Sequence, residues 1–351
     1  MLPVPDAPRI LLIRRDNIGD LVCTTPLFDA LRERHPRAHL AALVNSYNAP
    51  VLAGNPALDA VHVYTKAKHR PAGTSRLAVY WQTLQLIRRL RRQRFDFAIP
   101  VGGGYHRQAI KFARLAGARQ VIGFVPEQGG LPGIDIGIPY HRREARHEVE
   151  DIFRLLEPLG VAGPPGPLRV YAEAEARRAA QQVLAPLAGR VLLGVHVSAR
   201  EPARRWAPQA FISALRTACA RHPRLGLVLL WAPGSVDDPR HPGDDAMARE
   251  LIEGLAGLPL VPLPTPGLPV LIGALACCDV VLCSDGGALH LAVGLGKPVV
   301  SLFENRPEKY TRWYPWQVPY RLVRPTGRDI AGIAIDEVST ALDEMLAPLM
   351  P

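Results

Sequence analysis

The side chains best placed to do chemistry sit in short polar stretches that each follow an apolar run. Ser284-Asp285-Gly286-Gly287-Ala288-Leu289-His290-Leu291-Ala292 comes after Val280 to Cys283 and runs into a helix-like segment ending near Gly296-Lys297-Pro298, with a second apolar run, Val299 to Phe303, beyond it. The order predicted is strand, tight glycine turn, helix N-terminus, strand. Glycine lets a backbone approach a ligand closely. A helix N-terminus offers unpaired N–H groups and a positive dipole end to a phosphate. With Asp285 and His290 in the same place, the stretch points to a phosphate-bearing ligand. It is neither the spaced G-x-G-x-x-G of dinucleotide enzymes nor a P-loop.

A second stretch, Arg14-Arg15-Asp16-Asn17-Ile18-Gly19-Asp20, puts two carboxylates at the end of a strand, with Thr24 and Thr25 one turn on. Asp20 at a helix start is either a first-turn acid stabilised by the helix dipole or a general base facing a hydroxyl. A third, Val197 to Pro208, carries Ser198, Arg204, Arg205 and Trp206. Its guanidinium forks suit a phosphate; the plainer reading is a surface loop around a buried Trp206. Gly102-Gly103-Gly104-Tyr105-His106-Arg107 is a flexible turn or a loop that a ligand approaches. Arg142 to Glu150 reads as a helix start with a solvated charged face, from which His147 can reach a ligand. Glu304-Asn305-Arg306-Pro307 lies at another strand end. Asp237, Asp238, Asp244 and Asp245 fall in a Gly/Pro-rich loop and read as solvated, with a ribose hydroxyl as the alternative partner for one of them.

The elements that must position these groups alternate. Strands are predicted at 9–14, 40–44, 61–64, 95–101 and 121–124, with helices at 20–34, 76–93, 105–116 and 148–159. Gly163-Pro164-Pro165-Gly166-Pro167 then breaks the periodicity. The pattern restarts with strands at 191–197, 225–231, 280–283 and 299–303, helices at 172–184, 208–220, 246–254 and 270–276, a Pro-rich loop at 259–269, and a last helix at 336–346. Strand–helix alternation predicts parallel, doubly wound sheets. Each half opens with strand, polar loop and helix, and ligands of such sheets bind at strand C-terminal ends. A cleft between two such halves is the expected site.

Composition narrows the classes. The chain has 351 residues, 48% of them hydrophobic, enough for about two domains. No apolar run reaches the ~18 residues of a transmembrane helix, and the N-terminus lacks the features of a secretory signal. Five cysteines without C-x-x-C spacing read as reduced thiols, not metal ligands. The net charge is +10, with Arg-rich runs such as 88–94. These are either a solvated helix face or an attraction to an anionic phospholipid or phosphorylated glycolipid surface. With 6% aromatic residues and no basic–aromatic interleaving, nucleic acid is not an expected partner.

Taken together, the chain resembles glycosyltransferase family 9, the ADP-heptose:lipopolysaccharide heptosyltransferases, over nearly its whole length. The resemblance rests on Ile-Arg-Arg-Asp-Asn-Ile-Gly-Asp with Thr-Thr-Pro-Leu at 13–27, His-Glu-Val-Glu at 147–150, Arg-Arg-Trp at 204–206 and Ser-Asp-Gly-Gly-Ala-Leu-His-Leu-Ala at 284–292. It implies a GT-B fold of two Rossmann-like domains facing a cleft: residues 1–165 for the acceptor, 172–330 for the nucleotide sugar, and 331–351 as a helix crossing back to the first domain. It implies an inverting, metal-independent transfer with no cofactor beyond the nucleotide-sugar donor, ADP-heptose. By motif, Asp20 corresponds to the catalytic base and Arg204 to the residue that holds the diphosphate. Asp285, Gly287 and His290 match the donor loop; Ser198, Arg205, Gly286, Ala288 and Glu304 complete the expected donor contacts. Thr24, Gly103, Gly104, His106, Arg107, Lys111 and His147 are the expected contacts of an anionic glycolipid acceptor, with the enzyme in the cytoplasm at the inner membrane. The chain departs from the family's pattern where Gly286 replaces a usual threonine, where Glu304-Asn305-Arg306-Pro307 replaces Gly-Pro-Thr-Asp, and in having no evident ribose-binding acid among residues 237–245. These departures keep open a nucleotide-binding module without catalysis, or another donor sugar or acceptor. A nicotinamide oxidoreductase is disfavoured, because Asp16 and Asp20 stand where a pyrophosphate would sit.

Overall fold

The computed structural model describes residues 3–65, 76–140, 146–238 and 243–350. The chain divides into two compact units, 1–168 and 169–351, a residue beyond the Gly/Pro segment. In the first unit the order is Arg9–Ile13 (β1), Ile18–Arg34 (α1), His39–Asn45 (β2), Ala60–Tyr64 (β3), Arg76–Arg92 (α2), Phe97–Pro100 (β4), Arg107–Leu115 (α3), Gln120–Val125 (β5), Ile136–Pro139 (β6) and Glu148–Phe153 (α4). In the second it is Ala174–Val183 (α5), Val191–His196 (β7), Pro208–Arg221 (α6), Leu225–Trp231 (β8), Asp245–Gly254 (α7), Leu260–Pro264 (β9), Leu268–Cys277 (α8), Val280–Ser284 (β10), Gly287–Gly294 (α9), Val299–Leu302 (β11), Pro307–Tyr310 (α10), Tyr320–Val323 (β12) and Ile335–Leu346 (α11).

Each unit holds one six-stranded parallel sheet. The strand orders, β3-β2-β1-β4-β5-β6 and β12-β11-β10-β7-β8-β9, are the same doubly wound arrangement. In both, the chain starts in the middle, winds one way, then returns to wind the other. The crevice opens where the direction reverses, beyond the C-terminal ends of β1 and β4 in the first unit and of β7 and β10 in the second. Four of the polar stretches picked out in the sequence follow these strands; those at 142–150, 237–245 and 304–307 follow β6, β8 and β11. The strands themselves are near-continuous apolar runs because helices cover both faces: Ile10 to Ile13 and Val280 to Cys283 are fully buried.

Helix α1 shows how the local sequence serves this layout. It is buried almost all round from Ile18 to Phe28, as a helix carrying site residues beneath a crevice must be. Pro26 lies in its interior and cannot donate to the carbonyl of Val22, a loss that ordinarily breaks a helix. The hydroxyl of Thr25 donates to that carbonyl instead, at 2.7 Å, and the hydroxyl of Thr24 donates to the carbonyl of Asp20 at 2.9 Å. The Thr-Thr-Pro run thus supplies its own replacement for the bond that Pro26 cannot make.

Three strands lie outside those predicted from the sequence, one of them in the stretch predicted as a Pro-rich loop. β6, β9 and β12 are all sheet edges, and β6 and β9 contain prolines. An edge strand bonds on one side only, so a missing N–H is tolerated there. The Pro-rich stretch at 259–269 accordingly supplies β9 and the first turn of α8. Residues 331–350 group with the second unit. Val338, Ala341, Leu342, Met345 and Leu346 of α11 belong to the second unit's core, and the helix packs on α6, β11 and β12. Trp206 in that core donates its indole N–H to the carbonyl of Ile333, which fixes the approach to α11.

Candidate active site

In the first unit the crevice is organised by one buried arginine. Arg14 follows β1 and extends its ladder, its backbone N–H donating to the carbonyl of Leu43. Its side chain is almost wholly buried, and its guanidinium lies 2.7 Å from Asp20, 2.8 Å from Glu148 and 3.2 Å from Asp16. Burial alone would lower the Arg14 pKa; the charges of Glu148, Asp20 and Asp16 outweigh it and hold the group above its ordinary value. Asp20 is the third residue of α1. Its second oxygen accepts the backbone N–H of Asn17, closing a capping box. The Asp20 carboxylate is therefore fixed by two donors, while its side chain keeps 17% of its exposure. It is a rigid, partly open anion at the end of a strand.

Glu148 is a site residue that the sequence shows only as part of a charged run and of the His-Glu-Val-Glu motif. It stands in a charge run read as solvated, yet it is buried and spans 134 residues to reach Arg14. The available signal was Arg14 itself: an arginine ending an apolar strand needs a buried acid. His147, in the same place, is 1% exposed, its Nδ1 accepting the N–H of Val149 to cap α4. Thr24 is fully buried, with its hydroxyl donating within α1. Arg142 to Ala145 lie outside the described residues.

The loop after β4 holds Gly103 and Gly104 at the same crevice, Gly104 with a φ of 112° that favours glycine. Arg107 and Lys111 are exposed one turn apart at the start of α3. His106 folds back over Gly102, where a Cβ would sit 2.4 Å from its Nε2; that nitrogen is buried with no hydrogen-bond partner among the described residues.

The second unit repeats the device. Arg204, in the loop after β7, has its guanidinium 3.0 Å from Glu304 after β11, 3.5 Å from the Asp285 carboxylate after β10 and 3.5 Å from Glu201. It also donates to the carbonyl of Asp285 at 3.3 Å. The arginine thus stands beside Gly286, the N-cap of α9, which offers no side chain to the helix's first N–H groups. Gly286 has a φ of 165°, extended backbone open to any residue, and an added Cβ would meet only the carbonyl of Ser284 at 3.9 Å. Nothing in the backbone demands glycine there. Gly287 and Ala288 form the first turn of α9. His290 is buried one turn on, its ring edge-on to Trp313 at 5.8 Å.

Neighbouring groups brace this turn. Arg205 donates to the carbonyl of Ala199 at 2.9 Å and lies 3.0 Å from Asp244. Asp244 is 5% exposed, not solvated as its loop suggested. Asp245 accepts from the Trp231 indole and the N–H of Gly234, so it too has a structural task. The Ser198 hydroxyl accepts the N–H of Ala232. Glu304 is 2% exposed, with Arg306 and Lys309 each 3.9 Å away, and it holds Arg204 in place rather than presenting an open carboxylate.

The model of glycosyltransferase family 9 (heptosyltransferase) matches residues 83–328. The chain belongs to this family. Similar proteins include lipopolysaccharide heptosyltransferase 3 of Escherichia coli, 22% identical over 85% of this chain and 83% of the relative. A second, from E. coli strain K12 and of the same name, is 26% identical over 85% and 82%. Among solved structures, the family 9 glycosyl transferase of Veillonella parvula superposes with a TM-score of 0.80 at 18% identity, covering 98% of this chain and 100% of that one. E. coli ADP-heptose LPS heptosyltransferase II gives 0.76 at 17% identity over 98% and 100%. The fold is therefore GT-B, and the protein is a glycosyltransferase.

In this glycosyltransferase the arginines of the two crevices have carboxylate partners, and no group of three His, Cys, Asp or Glu arranged for a metal occurs among the described residues. Burial pushes the Cys278 thiol up to about 12 and Cys219 to about 11, so neither is a ready nucleophile. No described helix is long and apolar enough to cross a membrane.

Two outcomes test the electrostatics. Replacing Glu148 with Leu leaves Arg14 buried with fewer partners and is expected to cost about 3 kcal/mol, read as a shift in the urea unfolding midpoint. At the end of β7, burial pushes His196 down to about 4. Between that value and the unfolded pKa near 6.5, the unfolded chain binds more protons. His196 therefore contributes stability that is fully present above about pH 6.5 and is lost as pH falls towards 4, by up to about 3 kcal/mol. In His196→Gln, the loss of stability measured between pH 7 and pH 5 should be visibly smaller than in the wild type.

Proposed function

We propose that this glycosyltransferase moves a heptosyl group from ADP-heptose to a lipopolysaccharide-core or related glycan acceptor, with inversion and without a metal ion. The observation that carries the reading is Arg204, bonded to the carbonyl just ahead of the uncapped N-terminus of α9. A fork-shaped cation beside free helix N–H groups at a sheet's crevice is a locus for a diphosphate. Two relatives carry the name lipopolysaccharide heptosyltransferase 3, and one solved structure of similar fold is an E. coli heptosyltransferase with ADP (TM-score 0.74, 14% identity over 96% of this chain and 99% of that one), which supports this choice of donor and acceptor.

In this mechanism Asp20 takes the proton of the acceptor hydroxyl. The oxygen attacks the anomeric carbon from the face opposite the diphosphate, so the configuration inverts. The C–O bond to the diphosphate breaks as the new one forms. Arg204 and the N–H groups of α9 neutralise the charge growing on the leaving group, worth about 3 kcal/mol per well-placed donor. Metal independence has a reason in the donor set. Asp16, Asp20 and Glu148 are held by Arg14, Asp285 and Glu304 by Arg204, and Asp244 by Arg205, so guanidinium occupies the positions a divalent cation would take. Exposed Arg107 and Lys111 suit an acceptor that carries phosphate. A lipid-borne acceptor places the enzyme at the cytoplasmic face of the inner membrane.

Asp20→Asn keeps the capping box's shape but removes the base. The expected result is a fall in kcat of about 10²- to 10⁴-fold, with ADP affinity by calorimetry changed little; a wild-type kcat would remove Asp20 from the mechanism. The donor is tested by offering ADP-heptose, ADP-hexoses and UDP-sugars with lipid-linked and core-oligosaccharide acceptors and weighing the products. A heptose mass increment from ADP-heptose alone is expected. Transfer only from another nucleotide sugar would overturn the donor assignment.

A further inference from the structure

Helix α2 of the first unit carries five arginines and no acidic residue in 17 positions. Leu86 and Leu90 are buried in the core with Phe95, which fixes how the helix is rotated. The opposite stripe, Trp81, Gln85, Arg88 and Arg92, recurs at helical spacing and is exposed throughout. Trp81 is 56% exposed, an unusual position for the largest apolar side chain, and the Arg88 guanidinium lies over its ring at 6.0 Å from the centroid. Arg89 and Arg91 flank the stripe and Arg94 follows it; all are exposed, and Arg91 is steadied by the carbonyl of Leu115. Among the described residues none of Arg88, Arg89, Arg91 and Arg92 forms an ion pair, in contrast to the arginines of both crevices.

We propose that this outer face of α2 is a docking surface for an anionic lipid bilayer. The match is one of charge and of shape. Guanidinium groups bind lipid phosphates at the headgroup level, and long arginine stems let the charge reach them while the helix lies flat. An indole at one end of the stripe is the side chain that settles at the boundary between headgroups and acyl chains. Among the described residues the face has one aromatic group and no second ring at stacking distance along the stripe, which is not the serial stacking platform of a single-strand nucleic-acid binder. Each basic residue near a negatively charged leaflet strengthens binding roughly fivefold. Four or five of them with a single indole give reversible, salt-sensitive attachment rather than permanent anchoring. The proposal rests on the functional reading above only for its purpose, which is to hold the enzyme on the surface that carries a lipid-borne acceptor.

The test is sedimentation of the full-length protein with vesicles of phosphatidylcholine alone or with about one-third phosphatidylglycerol, in low and moderate salt. Binding to the anionic vesicles that weakens with salt, and little binding to the neutral ones, is expected. Arg88→Gln with Arg92→Gln should lower the anionic partition coefficient about 25-fold, and Trp81→Ala several-fold. All three positions are exposed, so thermal unfolding and transfer to a soluble, delipidated acceptor should stay at wild-type values, which separates this proposal from the catalytic one. Vesicle binding by a protein that transfers no heptose would leave the surface assigned and the donor wrong. Equal binding to both vesicle types, anionic binding unaffected by the variants, or displacement from vesicles by a small excess of unstructured RNA would overturn the bilayer as the partner.

Discussion

Each half of this glycosyltransferase depends on an arginine that cannot stand alone. A guanidinium taken out of water loses several kcal/mol of hydration and is tolerated only when charge and hydrogen bonds replace it. Arg14 meets that demand with Asp16, Asp20 and Glu148; Arg204 meets it with Glu201, Asp285 and Glu304. In both cases local partners are joined by one from a distant part of the chain, 134 residues away for Glu148 and 100 for Glu304. The same contacts that satisfy the arginine therefore tie the loop after the first strand of a sheet to elements formed much later. Order in these loops follows from electrostatic necessity.

The doubly wound order makes this possible. It brings the ends of β1 and β4, and of β7 and β10, side by side although helices and other strands intervene in sequence. Side chains at those ends point into a shared crevice without any strand having to bend. Helix α1 contributes a second constraint. It must be buried and must also begin beneath the crevice with Asp20 in place, and it contains Pro26. The two threonine hydroxyls keep its polar backbone satisfied in surroundings where water cannot reach.

This logic separates what the sequence discloses from what it hides. The inner strands are legible because burial on both faces writes an unbroken apolar run, as in Leu225 to Trp231. The edges β6, β9 and β12 have one partner each and mix Pro, Gly and exposed residues, so their composition resembles loops. Asp20, Arg204 and the turn at 284–292 are legible as local patterns. Glu148, Asp244 and the true tasks of Thr24 and His147 are not, because their meaning lies in a partner far along the chain or in a helix carbonyl left without its donor. Polar residues in a charged run look solvated until the fold reveals which of them faces inward.

The trio around Arg14 has one more consequence. Three carboxylates converging on a single positive centre at 2.7 to 3.2 Å form a coordination shell whose central cation is part of the chain. A cation attached by covalent bonds cannot be exchanged, chelated or diluted. The geometry around Asp20 is thereby uncoupled from the concentration of free divalent ions.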